Sequence, residues 1–528
     1  MEVIQGSVVG RLLLTVWLAL TVWYENSALG FCVQELGGFV HRSLRGSLLV
    51  QCVKRNGALS RGYENSLLCR LLGAVLNVPG LLLRTLYRRF RTVFRSSAVA
   101  RVGFAVVENT PIAAGWLILA ILIIPYEQWN NAYSLLGFAL LLCFAMAAGM
   151  RRASRRLDVV SVGPYPVFFA GLVLLAWPLS YAPALSQRFV LYHLACMLCV
   201  VVIVSTVERR DQLLRLAGGA TGGLILTSAY AVIQRIQGVE VNPSFVDLTL
   251  NKDMPGRVFS VFENPNAFGE VLVLLIPVAV GLMFAARGWG GRLLGLLGAG
   301  MGTVALVMTY SRAGWVGLFM AVLLFVFLWN RKLLPVMILV GLAAIPFLPD
   351  AVLNRILTIF NMKDTSTSSR FPLYEAAVNL LRQDPITGAG LGSDAVRAAV
   401  KEGNLYHGKS PFVHSHNVYL QVWAETGLLG LLALLGTVGY TIKRAARVAL
   451  GKEGSCSVRM VIIGGVSALL GIMVCGFADF IWHYPRVMLV FWFVFALTMA
   501  GIRLALREET RSPRRDRVLD QKTDGEEI

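Results

Sequence analysis

Three short stretches of this 528-residue chain set a basic or imidazole side chain beside residues that start helices. The first, GRVFSVFENPNAFGE (residues 256–270), carries Arg257, and Asn266 is placed to cap the apolar helix that follows. A helix start presents free N–H groups and the positive end of a dipole, which together suit an anion. The second, TYSRAGW (309–315), sets Arg312 between two apolar runs with almost no connecting loop. An arginine at the centre of a bilayer costs about 2.5–3.5 kcal/mol on insertion scales, and less near the interface. Arg312 therefore reads either as a snorkelling anchor or as a cation aimed at a phosphate. The third, HSHNVYLQVWAETGLLG (414–430), has His416 and Asn417, then nine residues, Gly427, two more, and Gly430. Neutral imidazole accepts a proton near physiological pH, so His416 suits a general base; a headgroup-facing or satisfied histidine is the bland alternative. Two arginines and a second long loop on the same face favour the base. Gly427 and Gly430 permit close helix approach.

The elements that must hold these residues are membrane helices. Hydrophobic residues make up 56% of the chain, and the mean hydropathy is +0.65. Runs such as LILAILIIPY and VLVLLIPVAVGLMF are continuous, which excludes a barrel and predicts an all-α polytopic bundle. Twelve core spans are expected, near 112–126, 132–149, 162–181, 189–207, 216–234, 267–286, 293–311, 313–329, 333–348, 418–440, 460–480 and 487–505. Arginine and lysine gather in alternate connections: 151–156, 208–215, 287–292, Arg331 with Lys332, and 443–452. The intervening short connections hold none or one, so the positive-inside rule puts both ends of the core in the cytoplasm. Two long loops, 237–266 and 349–417, then lie outside, together with all three motifs. Within the second, FPLYEAAVNLLRQ has helical spacing through Leu373, Ala377, Leu380 and Leu381 and ends at DPITGAGLGS, a Pro/Gly turn. GAGLG follows no strand and is not read as a dinucleotide site.

Three regions result: a basic N-terminal extension (1–100), the membrane core (101–506), and a charged cytoplasmic tail (507–528) whose composition suggests disorder. In the extension, Leu12 to Tyr24 fits a span, an uncleaved signal-like segment or an interfacial helix. Residues 66–95 mix Leu and Val with Arg70, Arg84, Arg88, Arg89, Arg91 and Arg95, which suits an amphipathic helix on an anionic leaflet. The formal charge of +19 has its source in connections between apolar runs, so membrane lipid rather than nucleic acid is the expected partner. Of eight cysteines, Cys196 and Cys199 form a CxxC inside a span and are read as packing residues, and no disulfide framework is visible.

The HN-x9-GxxG spacing, FENPNAFGE, SRAG opening a span, and SSRFPLYEAA followed by DPITGAGLG resemble the O-antigen ligase and O-antigen polymerase superfamily over residues 160–500. FADFIWHYPR, with Asp479, His483 and Arg486 outside, belongs to the same resemblance. It implies a bundle similar to the GT-C glycosyltransferases. It also implies transfer of a glycan from a polyprenyl-pyrophosphate carrier to a glycan, lipid or protein acceptor at the outer face of the cytoplasmic membrane. By the same resemblance His416 is the catalytic base, and Arg257, Arg312 and Arg370 bind the donor pyrophosphate. Asn417, Gly427, Gly430 and Asn266 support them. The expected enzyme is an inverting transferase that uses no metal and no cofactor. His414, His407 and His483 fall outside the glycine-spaced register, with His414 and His407 expected to be dispensable. The alternatives are a repeat-unit polymerase of the same family, a flippase of lipid-linked sugars, and a metal-dependent oligosaccharyltransferase. The last needs clustered acids, whereas Glu127, Asp247, Asp253 and Glu263 lack tight ligand spacing.

Overall fold

A computed structural model describes residues 58–523 apart from 152–155, 243–254, 348, 359–364 and 409–410, with isolated positions before residue 58. The Leu12–Tyr24 segment lies almost wholly outside the described residues, as do Arg152, Arg155, Asp247 and Asp253. The chain divides into two units, 1–62 and 63–528, and the helices below belong to the second. They are α1 (Leu67–Arg89), α2 (Arg91–Ser96), α3 (Ala98–Glu108), α4 (Thr110–Ile123), α5 (Ala132–Arg151), α6 (Pro164–Ala176), α7 (Pro183–Thr206), α8 (Arg210–Gln237) and α9 (Pro265–Ala285). There follow α10 (Trp289–Thr309), α11 (Arg312–Asn330), α12 (Leu334–Ala344), α13 (Asp350–Leu357), α14 (Arg370–Gln383), α15 (Ser393–Glu402), α16 (Val418–Gly451), α17 (Cys456–Cys475) and α18 (Pro485–Thr523). No strand occurs among the described residues, as continuous apolar runs require.

Among the described residues ten helices are long and apolar enough to cross a membrane, or eleven if the bent pair α3–α4 is one span. The expected twelve differs for identifiable reasons. The run read as 162–181 yields a helix of only 13 residues, α6. The two runs 313–329 and 333–348 count as one, Arg312–Phe347. That stretch is nevertheless broken, because Asn330 is extended (φ −156°, ψ 96°). A straight helix of 36 residues would be about 54 Å long. Yet Arg355 Nε donates to Tyr310 O at 3.4 Å and Arg312 donates to Thr358 O at 2.6 Å. The chain must therefore turn back at Asn330–Leu333. The helix α1 adds a candidate not counted in the core.

At the centre of the bundle, α9, α17 and α18 are enclosed on nearly all sides. Their contacts need small residues: a Cβ on Gly281 would stand 2.6 Å from Met460 O, and one on Gly464 2.4 Å from Pro277 O. The two ends of α18 set the levels of the molecule. Near its start, Arg486 donates to Ile124 O and Val261 O at 2.6 and 2.8 Å. About 26 Å further along, Arg503 pairs with Asp158 at 2.9 Å. The backbone of α18 stays helical through Thr523, where composition suggested disorder. Cys196 and Cys199 are buried in α7, as packing residues are.

Candidate functional site

The site is built at the end of the bundle where α9, α11, α14 and α16 begin. Pro265 opens α9 behind an Asn264 cap whose side chain accepts from Asn266 N at 2.8 Å. The expected cap, Asn266, thus sits inside the first turn. Freed from capping, its Oδ1 accepts from Arg257 Nη2 at 2.5 Å and its Nδ2 reaches Asp479 Oδ2 at 3.4 Å. Arg257 is buried, and its Nε donates to Thr309 O at 2.6 Å. The loop carrying it is fixed by Gln234, whose side chain bonds the Ser260 N–H and carbonyl at 2.7 and 3.0 Å.

Arg312 is the first residue of α11, behind a Ser311 cap and a left-handed Tyr310. A cation at a helix N-terminus opposes the dipole, and Arg370 repeats the arrangement at the start of α14. Arg312 also donates to Thr367 Oγ1 at 3.3 Å. The structure adds Arg355 of α13, which is buried. Burial pushes the Arg257 guanidinium down to about 9, and the charges of Arg355, Arg312 and Arg370 press in the same direction while Asp479 opposes them. Four guanidinium groups thus converge, and an anion placed among them relieves their mutual repulsion.

His416 stands beside this cluster with φ 47°, a left-handed backbone for a non-glycine residue. Its Nδ1 lies 3.0 Å from Asp479 Oδ1, which also accepts from Phe480 N at 2.8 Å. An imidazole whose Nδ1–H donates to a carboxylate carries its lone pair on Nε2. Burial raises the Asp479 carboxyl, but attraction to His416, their hydrogen bond, His414 and Arg370 outweigh it and hold the group well below the usual carboxylate range. Asn417 caps α16, accepting from Tyr419 N and Leu420 N at 2.9 and 3.0 Å. Tyr374 of α14 ties the parts together, donating to Phe477 O at 3.0 Å.

Two readings of the sequence change here. His414, set aside as out of register, has its ring 4.1 Å from that of His416 and accepts the His416 N–H at its own Nδ1, at 3.1 Å. Burial, then His416 and His483, hold it well below the ordinary imidazole value, so it is neutral and serves as a backbone acceptor. Gly427, read as a helix-packing residue, is a break in α16 (φ 71°, ψ 179°) that admits the Pro/Gly loop. Leu428 N donates to Pro385 O at 3.1 Å, Ala389 N to Ala424 O at 2.7 Å, and a Cβ on Gly427 would lie 1.8 Å from Ile386 O. A Cβ on Gly430 meets its own helix's Thr426 side chain instead. His407 is exposed and apart from the cluster, and Arg486 is spent on carbonyls and on the faces of Trp129 and Phe262.

Asp479, Arg355 and the buried Glu425 are functional candidates not assigned roles from the sequence. Glu425 accepts from Gln421 Nε2 at 2.9 Å, and Gln421 Oε1 accepts from Ser415 N at 2.9 Å, so a buried carboxylate braces the His416 turn. An acid in an apolar span was the available signal. His414, His416 and Asp479 offer ligand atoms within 4.8 Å of one another, a spacing open to a metal ion. Against that use, His414 Nδ1 and Asp479 Oδ1 already accept backbone N–H groups, and the charge around them is positive.

Residues 294–435 match the sequence model of a family described as O-antigen ligase. An uncharacterized protein of Haemophilus influenzae is 29% identical over 171 residues, covering 29% of this chain and 43% of its own length. The exopolysaccharide production protein ExoQ of Rhizobium meliloti is 25% identical over 264 residues, 48% of this chain and 59% of its own. The chain thus spans about half the length of the curated relatives it matches.

Proposed function

We propose that this chain, whose residues 294–435 match the O-antigen ligase family, transfers a glycan from a polyprenyl-pyrophosphate carrier to an acceptor hydroxyl at the outer face of the cytoplasmic membrane. The observation that carries this reading is the pairing of a carboxylate-oriented imidazole, His416 with Asp479 at 3.0 Å, beside four converging arginines. His416 Nε2 takes the proton of the acceptor hydroxyl. The oxygen attacks the anomeric carbon opposite the carrier, giving inversion. The bond from that carbon to the pyrophosphate oxygen breaks, and polyprenyl pyrophosphate leaves with the electron pair. Arg257, Arg312, Arg355 and Arg370 stabilise the charge that develops on it, which is worth most where water is scarce. Guanidinium pairs bidentately with phosphate oxygens, which suits arginine over lysine. A pyrophosphate is stable as an anion, so this mechanism needs neither a general acid nor a metal ion.

A polymerase, in which the acceptor is another glycan, uses the same chemistry. The relative named for exopolysaccharide production keeps that as the second reading. The test is transfer by the purified protein from a defined polyprenyl-pyrophosphate glycan to lipid, protein and glycan acceptors, with and without EDTA. Product that forms under chelation and is lost in His416→Ala is expected. Activity lost in EDTA and restored by magnesium or manganese would instead give His414, His416 and Asp479 to a metal.

A further inference from the structure

We propose that α1, α2 and α3 lie in the plane of the membrane, at the face opposite His416, and bind the phosphate headgroups of anionic phospholipids. Length and hydropathy alone make α1 a candidate span, but its contacts hold both its ends at one level. Tyr63, just ahead of α1, donates to Val159 O at 3.1 Å. Asn77 and Leu157 exchange two hydrogen bonds, at 3.0 and 2.8 Å. Arg84 donates to Gly149 O at 3.3 Å. Near the far end of α1 the Tyr87 ring is 5.6 Å from that of Phe104, and the Arg151 guanidinium lies 5.2 Å from the same Phe104 ring. Arg151 also pairs with Glu108 at 2.9 Å. Every partner outside α1–α3 is in or beside the connection between α5 and α6, whose Asp158 binds Arg503 at the end of the α18 span remote from His416. A spanning helix of 23 residues would separate its ends by about 34 Å in depth. The 66° bend between α3 and α4 likewise turns α3 away from the direction of the span that follows.

The exposed surface of α1 matches that placement. Arg70, Asn77, Arg84 and Arg88 recur at seven, seven and four residues and so share one polar stripe along the helix axis, on which Arg70 and Arg88 are exposed while Asn77 and Arg84 are turned to the protein. Leu67, Leu71, Val78, Leu82 and Leu86 form an exposed apolar stripe beside it. Arg89, Arg91, Arg95 and Arg101 extend the charge through α2 and α3, and no acidic residue or lysine interrupts residues 66–107. In-plane helices of this type seat an apolar face among acyl chains and set arginines among phosphates. The occupant with matching charge and a matching apolar phase is an anionic lipid leaflet. This inference is independent of the transfer reaction.

The test uses the full chain, freed of its eight native cysteines, in phosphatidylcholine nanodiscs with or without phosphatidylglycerol. A fluorophore on Val78→Cys, at the middle of α1, should be quenched more by spin labels near the headgroup than by labels at the acyl end. Stronger quenching by the deep label would make α1 a span and overturn the proposal. In native mass spectra the quadruple variant with Arg88, Arg89, Arg91 and Arg95 changed to Gln should retain about tenfold less phosphatidylglycerol, and the quadruple Lys variant should keep it. Equal retention in the Gln variant would overturn the lipid assignment even where the quenching holds.

Discussion

At His416 the chain accepts a left-handed backbone, a hydrogen bond from its own N–H to His414, and a carboxylate on Nδ1. Each constraint fixes the direction of one ring. His416→Ala should lower transfer by about 10²–10⁴-fold, the usual cost of losing a general base, with membrane level unchanged. This is read as glycan transfer at equal protein amounts, and activity within a few-fold of wild type removes the base assignment. Asp479→Asn keeps the shape but removes the carboxylate that orients the ring, so transfer at equal protein amounts should fall, by less than in His416→Ala. His414→Ala should cost roughly tenfold in kcat, between the effects of His407→Ala and His416→Ala, since it loosens the turn without touching the reacting nitrogen. The imidazole and Arg312 were legible because each sits in a short motif. Asp479 was seen in the sequence but its role was not, because 63 residues separate it from His416 and only folding joins them. Arg355 was hidden for a different reason: AVLNRIL looks like any amphipathic turn with one basic residue.

Elements that start at the site carry their cations at the wrong end for helix stability. Arg312 and Arg370 open α11 and α14, where the dipole disfavours positive charge. A bound phosphate reverses the sign of that local interaction. Arg312→Lys should therefore leave the protein folded and the charge in place yet fail to restore transfer, because lysine lacks the planar fork. Donor-concentration dependence in the purified variant is the measurement, and full activity would return Arg312 to the role of an interfacial anchor. The glycines of α16 separate in a second experiment. Gly427 occupies a conformation essentially confined to glycine, with Ile386 O where a side chain would go. Gly427→Ala should lower the thermal unfolding midpoint in detergent by several degrees and weaken transfer. Gly430→Ala meets only the rotatable Thr426 side chain and should do less. The sequence shows that both positions are glycine but not which neighbour requires it. The break at Asn330 falls where the sequence placed the Arg331–Lys332 connection, whereas hydropathy could not register the 13-residue length of α6.

For the whole molecule, the charge alternation and the helix directions give one orientation. The helix α16 leads from His416 at one end to Lys443, Arg444, Arg447 and Lys452 at the other. The exposed α1–α3 arginines lie at the level of Asp158, with the same basic end. The proposed reaction takes the basic end as cytoplasmic and the His416 end as external, the orientation that the positive-inside rule favours. Two single cysteines decide the orientation on a background without the native ones. Lys401→Cys, exposed on α15 near the site, should react with an impermeant maleimide added outside intact cells. Lys452→Cys, exposed just past α16, should react only after the membrane is opened. The two residues flank one spanning helix, so no arrangement of the N-terminal helices can exchange their sides. Labelling of Lys452→Cys, but not Lys401→Cys, in intact cells would invert the molecule and place His416 on the cytoplasmic face. The outer-face transfer reaction would then fall, while the lipid-binding surface opposite it, which depends on contacts rather than on sidedness, would stand.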